Sequence, residues 1–276
     1  MKRTVIIITL FFLGFNFNYG QGKLEKAEKS LTKKERSSSR SESRSSGNSY
    51  DSGDSFWLEV FGPLFLDVFL ITTYGTFIET PIEQEHSAST ASITKYPYYN
   101  SKKGNYSYEW GDDTQMARAT ITNRFIAENG KLYGNHLNLD IRFLKRISVE
   151  ADYLQLWEEN TNFGDNSLAI YSFLAKYHRV RTERFDAWWG IGATYIGGEV
   201  EQLGFTYGAG AELFFAKPLS VEVNFNQTFI ESETVNKFNA LLNYHAGRFK
   251  FSGGYEHLKI GAPDFSMFSA GVGVSF

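Results

Sequence analysis

Cysteine is absent from the 276 residues. That absence removes disulfides, thiolate zinc sites, thiol nucleophiles and any thiol that could carry a lipid. Proline and methionine are scarce, at 5 and 3 residues. Beyond residue 20 there is no uncharged apolar run of the ~20 residues a spanning helix needs, which argues against a helical inner-membrane protein. Neither sign of charge dominates: the net charge of −3 is too small to argue for a nucleic-acid partner. What is abundant is aromatic residues, at 17%, and glycine.

The two ends of the chain carry distinct patterns. Lys2 and Arg3 precede an apolar stretch from Val5 to Phe15, and Tyr19-Gly20-Gln21 has small residues suited to cleavage. Residues 1–20 therefore read as a secretory signal peptide. At the other end, Phe268, Ala270, Val272, Val274 and Phe276 share one face of a period-two strand, with Ser266, Ser269, Gly271, Gly273 and Ser275 among them. A strand apolar toward lipid and small toward a lumen is what a transmembrane β-barrel requires.

Between the ends the composition changes twice. Residues 21–55 begin with a helix-compatible charged piece, Lys23 to Leu31, and pass into Ser-, Arg- and Glu-rich sequence; with too little apolar area to offset the entropy of ordering, the whole is expected to form a disordered periplasmic tether. Residues 56–115 start with an apolar segment from Phe56 to Ile78, interrupted by Glu59, Pro63 and Asp67, which reads first as a helix at the periplasmic rim of the barrel, with an extra pair of strands or an element docked against the barrel as the alternatives. The polar, turn-rich stretch from Pro81 to Asp113 then reads as a loop or hairpin at the barrel mouth.

From Met116 onward alternation is sustained, and residues 116–276 are expected to form the barrel. Ala119, Ile121 and Phe125 alternate with Arg118 and Arg124; Leu137, Leu139 and Ile141 alternate with Asp140 and Arg142. Further along, Glu150, Asp152, Lys176, Asp186, Glu212, Glu222, His245 and Glu256 hold the polar positions of their strands. The fold class is thus all-β, an antiparallel up-and-down transmembrane barrel of about ten strands, with eight to twelve possible. Links alternate between tight and longer, except at Asn129-Gly130 and Gly197-Gly198, which suits short periplasmic turns, longer outer loops and both chain ends in the periplasm.

The twelve charged or titratable inward positions read first as a lumen-facing network of ion pairs and hydrogen bonds, because a buried charge is tolerable only when paired. A selective polar channel is the functional alternative. No metal-ligand spacing joins the five His residues, and no cofactor motif is present. Ser172 and His178 are the pair one would try first for acyl transfer, but no orienting acid is linked to them by sequence.

The closing strand, with Phe268, Val272, Val274 and Phe276, resembles that of small bacterial outer-membrane β-barrel proteins of the porin-like and OmpA/OmpX-like group. Gln21 after the cleavage site looks like a Bacteroidota export signal. The resemblance implies that those four residues are read by the barrel-assembly machinery, and that the wall faces outer-membrane lipid of a Gram-negative bacterium. It transfers no catalytic residue. The role expected is non-enzymatic, structural or as an assembly subunit with a periplasmic partner on the tether. A small solute pore is the alternative, and a lipid-modifying enzyme is third. The class predicts a mobility difference between unboiled and boiled samples of urea-washed membranes. Identical mobility, or extraction by urea, would reduce the alternation to that of a peripheral β-protein.

Overall fold

The structure, a computed structural model, describes residues 22–32, 91–109, 111–143, 145–159, 166–198, 200–230 and 233–276. The signal peptide, residues 33–55 of the expected tether and the apolar 56–78 segment lie outside them.

Aromatic and β-branched residues at alternate positions favour extended chain, since each can pack on one face of a pleated surface. Ten antiparallel strands result: β4 (Ala117–Ala127), β5 (Leu132–Phe143), β6 (Ile147–Glu158), β7 (Asn166–Arg181), β8 (Phe185–Gly197), β9 (Gln202–Ala216), β10 (Leu219–Ile230), β11 (Glu233–Ala246), β12 (Phe249–Ile260) and β13 (Asp264–Ser275). Each pairs with its sequence neighbour, and β13 returns to β4 from Phe268↔Ala127 to Ser275↔Thr120, closing the barrel. Closure leaves no unpaired edge. β10 and β11 pair up to Ile230↔Glu233, so only residues 231–232 join them.

The outer wall is apolar. Phe125, Phe173 and Phe205 are 57%, 56% and 54% exposed, and Leu203 reaches 71%. In water such a continuous apolar wall would drive association; in a bilayer it is the required surface. The closed hydrogen-bonding and this face together make the protein a transmembrane β-barrel. No helix among the described residues is long and apolar enough to span a membrane.

The two mouths differ. One, here the carboxy mouth, carries Phe276 and the links 144–146, 182–184, 217–218 and 247–248. The two-residue link 247–248 turns at Gly247, whose φ of +61° a residue with a Cβ adopts only with strain. The far mouth carries links 128–131, 159–165, 198–201, 231–232 and 261–263.

Residues preceding the barrel enter both mouths. Three short strands, β1 (Ser92–Thr94), β2 (Tyr106–Ser107) and β3 (Thr114–Gln115), pair in the order β2-β1-β3. They sit in the carboxy mouth: Arg118 donates to the Thr94 carbonyl (3.3 Å), Arg181 to that of Ala91 (3.0 Å), and the Tyr98 hydroxyl to that of Leu219. Ala91, Ile93 and Tyr106 are buried there as a small apolar cluster.

The far mouth holds helix α1 (Lys23–Thr32). This corrects the expectation of disorder for its part of residues 21–55. Leu24, Ala27 and Leu31 recur at helical spacing and form a stripe too small to fold alone, but the barrel supplies the rest of the core. Inward-facing Leu154, Leu156, Leu168, Ile170, Ile196, Leu258 and Ile260 receive the stripe. The Glu158 carboxylate accepts the backbone N–H groups of Gly22 (2.9 Å), Lys23 (3.1 Å) and Leu24 (2.9 Å), satisfying donors that a helix start leaves orphaned. Lys23 pairs with Glu128 at 2.8 Å, and Gln202 donates to the Leu31 carbonyl at 3.2 Å. Gly22 thus sits at the far mouth and Phe276 at the carboxy mouth.

Replacing Glu158 by Ala removes the acceptor of those amides and should weaken helix docking by ~1–2 kcal/mol. Trypsin should then cut faster after Lys26 and Lys29, while the heat-dependent mobility of the barrel stays unchanged.

Candidate functional site in the barrel lumen

Inward polar residues cluster toward the middle and the carboxy mouth. In the middle, Arg124 Nε donates to Glu256 Oε1 at 2.7 Å, and His136 lies between Glu256 and Asp152, with each ring nitrogen 2.5 Å from a carboxylate oxygen. The second Asp152 oxygen pairs with Lys237. β6 and β11, which carry Asp152 and Lys237, are five steps apart either way around the ring of ten. Their ion pair is thus a strut across the full width of the lumen.

Arg124 reaches Glu256 by crossing over β13 at Gly271, its register partner. A Cβ on Gly271 would lie 2.6 Å from Arg124 Cγ and 2.2 Å from the Asn123 carbonyl oxygen. Glycine is what lets the guanidinium pass.

Nearer the carboxy mouth, Arg142 pairs with Asp186 at 2.8 Å and donates to the Tyr106 hydroxyl of the plugging sheet at 2.8 Å. Lys176 bridges Asp140 and Glu150, with its ammonium 4.2 Å from the Trp188 ring centroid. Glu222 accepts from Asn243 (3.0 Å) and Lys250 (3.3 Å). Ser220 links Glu212 (2.7 Å) to His245 (2.8 Å). Arg118 has no carboxylate within ion-pair distance among the described residues; it donates to Asn105 Oδ1 (3.0 Å), whose amide nitrogen donates to Glu212 (3.3 Å). Asn105, from the plug, therefore stands between a buried cation and a carboxylate. Burial, with Glu212 nearby, pushes the Tyr98 hydroxyl up to about 12, and burial also raises that of Tyr106. Both phenols stay protonated in the mouth, Tyr98 donating to the Leu219 carbonyl and Tyr106 accepting from Arg142.

A cavity of about 90 Å³ remains, bounded in part by Arg118, Asp140, Glu150, Lys176, Glu212 and Glu222. That is room for a few water molecules.

The acyl-transfer pair suggested by the sequence does not form. Ser172 accepts a 2.9 Å hydrogen bond from Thr194, within a hydroxyl chain that continues through Thr206 to Thr228. His178 meets Ser148 instead: Nε2 is 3.0 Å from Ser148 Oγ and Nδ1 is 2.9 Å from Asp186 Oδ1. The connectivity is that of a hydrolytic triad. Two features argue against that use. Arg142 also stands 2.9 Å from Nδ1, competing for the Asp186 carboxylate, and Ser148 donates to Asp140 at 3.3 Å with no solvent-exposed surface. A carbonyl carbon has no path to Oγ while the surrounding side chains keep their places.

His136 and Lys237 were missed by the sequence reading, although each shares its strand parity with inward residues, Asp140 on β5 and His245 on β11. His86 lies outside the described residues, and His257 faces outward beside Tyr255 and Ser266. Of the terminal residues expected to guide assembly, Phe268, Val272 and Phe276 are exposed on the lipid side, and Val274 is half-buried on the same face.

No family model matches the chain, and no curated protein matches it. Solved structures of similar fold include an outer-membrane channel from Pseudomonas putida F1 (10% identity, 61% of this chain and 99% of that one, TM-score 0.40). They also include the Yersinia pestis outer-membrane protein Ail in a phospholipid nanodisc (18% identity, 58% and 99%, TM-score 0.35) and the KdgM porin (13% identity, 57% and 99%, TM-score 0.37). These likenesses are of barrel form, and nothing about ligand or role follows from them.

The lumen network makes a stability prediction. Asp152→Asn leaves Lys237 and His136 facing a neutral amide, and should cost ~3–5 kcal/mol, the usual penalty for breaking a buried pair. The check is the urea unfolding midpoint in detergent; Asp152→Asn combined with Lys237→Met should recover part of the loss. The chain itself is a closed ten-stranded β-barrel of the transmembrane kind.

Proposed function

We propose that the protein is an integral outer-membrane barrel with a non-enzymatic role, structural or as the membrane subunit of an assembly, and that its resting lumen passes no solute. The Lys237–Asp152 strut carries this reading, since it joins opposite walls at a level between the two occupied mouths. The small remaining cavity supports it further. In this reading the carboxy mouth is periplasmic, as its short turns suit, and the residues at the closing strand serve the assembly machinery. A periplasmic partner would meet the plugging sheet of residues 91–115.

The charged lumen favours a pore as the second reading, but such a pore would conduct only after the strut and at least one plug had moved. The lipid-modifying reading has less support, because Ser148 is closed off and Ser172 is bonded elsewhere. Planar-bilayer recording separates the first two. The full chain should give no discrete conductance steps. Steps from the unaltered protein would favour the pore, and Asp152→Asn should raise their frequency if the strut is what blocks it.

A further inference from the structure

We infer that the four hairpin turns of the carboxy mouth form a basic collar that binds the phosphate groups of anionic phospholipid in the adjoining leaflet. This needs only that the barrel spans a membrane, whatever its role there and whichever way it faces.

Charge is the first observation. The links 144–146, 182–184, 217–218 and 247–248 hold Lys145, Arg146, Arg184, Lys217 and Arg248, so every one of these turns carries a cation. Their one acid, Glu183, is taken by Lys103 of the plug at 2.6 Å. Even with the terminal carboxylate of Phe276 added, this rim is basic. Arg184, Lys217 and Arg248 are exposed and make no ion pair among the described residues. The described links of the far mouth have the opposite balance, with Glu128, Glu159 and Glu201 against Lys131.

The second observation is placement. Each of the four turns adjoins an exposed apolar side chain on the lipid-facing wall: Ile147, Phe185, Phe215 and Phe249 in turn. The cations therefore stand where hydrocarbon gives way to headgroups, with their aliphatic stems able to lie along the wall. Arg146 shows the arrangement most fully. Its Nη1 donates to the Arg179 carbonyl at 3.3 Å, and its guanidinium lies 5.9 Å from the ring centroid of Tyr177, itself 6.0 Å from that of Trp189. Both rings occupy lipid-facing positions, so the other N–H groups of Arg146 are held at the edge of the wall, suited to a phosphate oxygen. The far mouth differs along β10 to β13. There Gln227, Asn236, Lys259 and Asp264 form one outward cross-strand row, which sets polar side chains between the links and the apolar wall. Successive carboxy-mouth turns are two strands apart, or ~10 Å around the rim, so each can meet its own lipid. A soluble polyanion would call for cations gathered over the plug, whereas these are spread around the rim beside lipid-facing residues.

The test places the full chain in phosphatidylcholine vesicles that contain either spin-labelled phosphatidylglycerol or spin-labelled phosphatidylcholine. The motionally restricted part of the spectrum reads how much of each label the barrel retains. At low salt the protein should prefer phosphatidylglycerol by roughly fivefold, the order that one Lys or Arg contributes near an anionic surface. The preference should fade in 1 M salt, where the Debye length is only ~3 Å. It should be lost when Arg146→Gln, Arg184→Gln, Lys217→Gln and Arg248→Gln are combined, and kept when Lys131→Gln and Lys259→Gln are combined at the far mouth. The heat-dependent mobility shift verifies that each variant is folded. Equal retention of the two lipids by the unaltered protein overturns the inference without recourse to any variant, and binding of soluble polyglutamate in that case would give the collar to an acidic protein instead. A preference that survives the fourfold variant, or that the far-mouth variant abolishes, overturns it as well by placing the lipid elsewhere.

Discussion

The pairing of β13 with β4 is the interaction on which everything else depends. A sheet in hydrocarbon cannot leave a row of N–H and C=O groups unpaired, so an open ten-stranded sheet with this outer face would be neither soluble nor insertable. The register from Phe268↔Ala127 to Ser275↔Thr120 turns the sheet into a surface with an inside. The same seam sets the geometry of the lumen. Gly271, opposite Arg124, leaves the gap through which the guanidinium reaches Glu256, so the closing strand both completes the wall and admits the first link of the central network.

Once closed, the barrel has an interior too narrow to leave charges solvated separately. Burial penalises each ionised group, and the pairs across the lumen offset that cost only because their geometry is shared among several partners. Lys237, Asp152, His136, Glu256 and Arg124 form one connected chain from β11 across the lumen to β6 and β5 and back to β12 and β4, whereas the hydroxyls of Ser172, Thr194, Thr206 and Thr228 line neighbouring strands without charge. The plugging residues take part in this chemistry. Asn105 and Tyr106 complete the hydrogen bonding of Arg118 and Arg142, while Leu24, Ala27 and Leu31 complete an apolar cup. The barrel and the residues before it are therefore one folding unit in energetic terms.

Much of this was legible beforehand. Alternation in strands such as Leu137–Phe143 and Phe268–Phe276 specifies both the extended conformation and which side chains face lipid, because a period of two leaves one choice of face once the other is charged. The inward positions of Arg124, Asp152 and Glu256 follow from the same parity. The sequence reading stopped short where parity met its own assumption that inward means polar. Leu154 and Leu156 continue the inward row of Asp152 but are apolar, so they carried no recognisable signal. Their partner, the stripe on α1, lies more than a hundred residues away and is too small to stand out within a charged, low-complexity stretch.

By itself, then, the sequence determined the barrel class, the lipid-facing side and the identity of most inward charges, since each depends on local periodicity and on the cost of exposing polar backbone to lipid, while the structure settled the strand count at ten within the eight to twelve that periodicity allowed. Only the tertiary structure decided which charges meet, that His178 turns to Ser148 rather than Ser172, and that the two segments before the barrel close opposite mouths. Those outcomes depend on distances across the lumen and on contacts between residues remote in the chain, and no local pattern encodes how far apart two walls will stand once the sheet has closed.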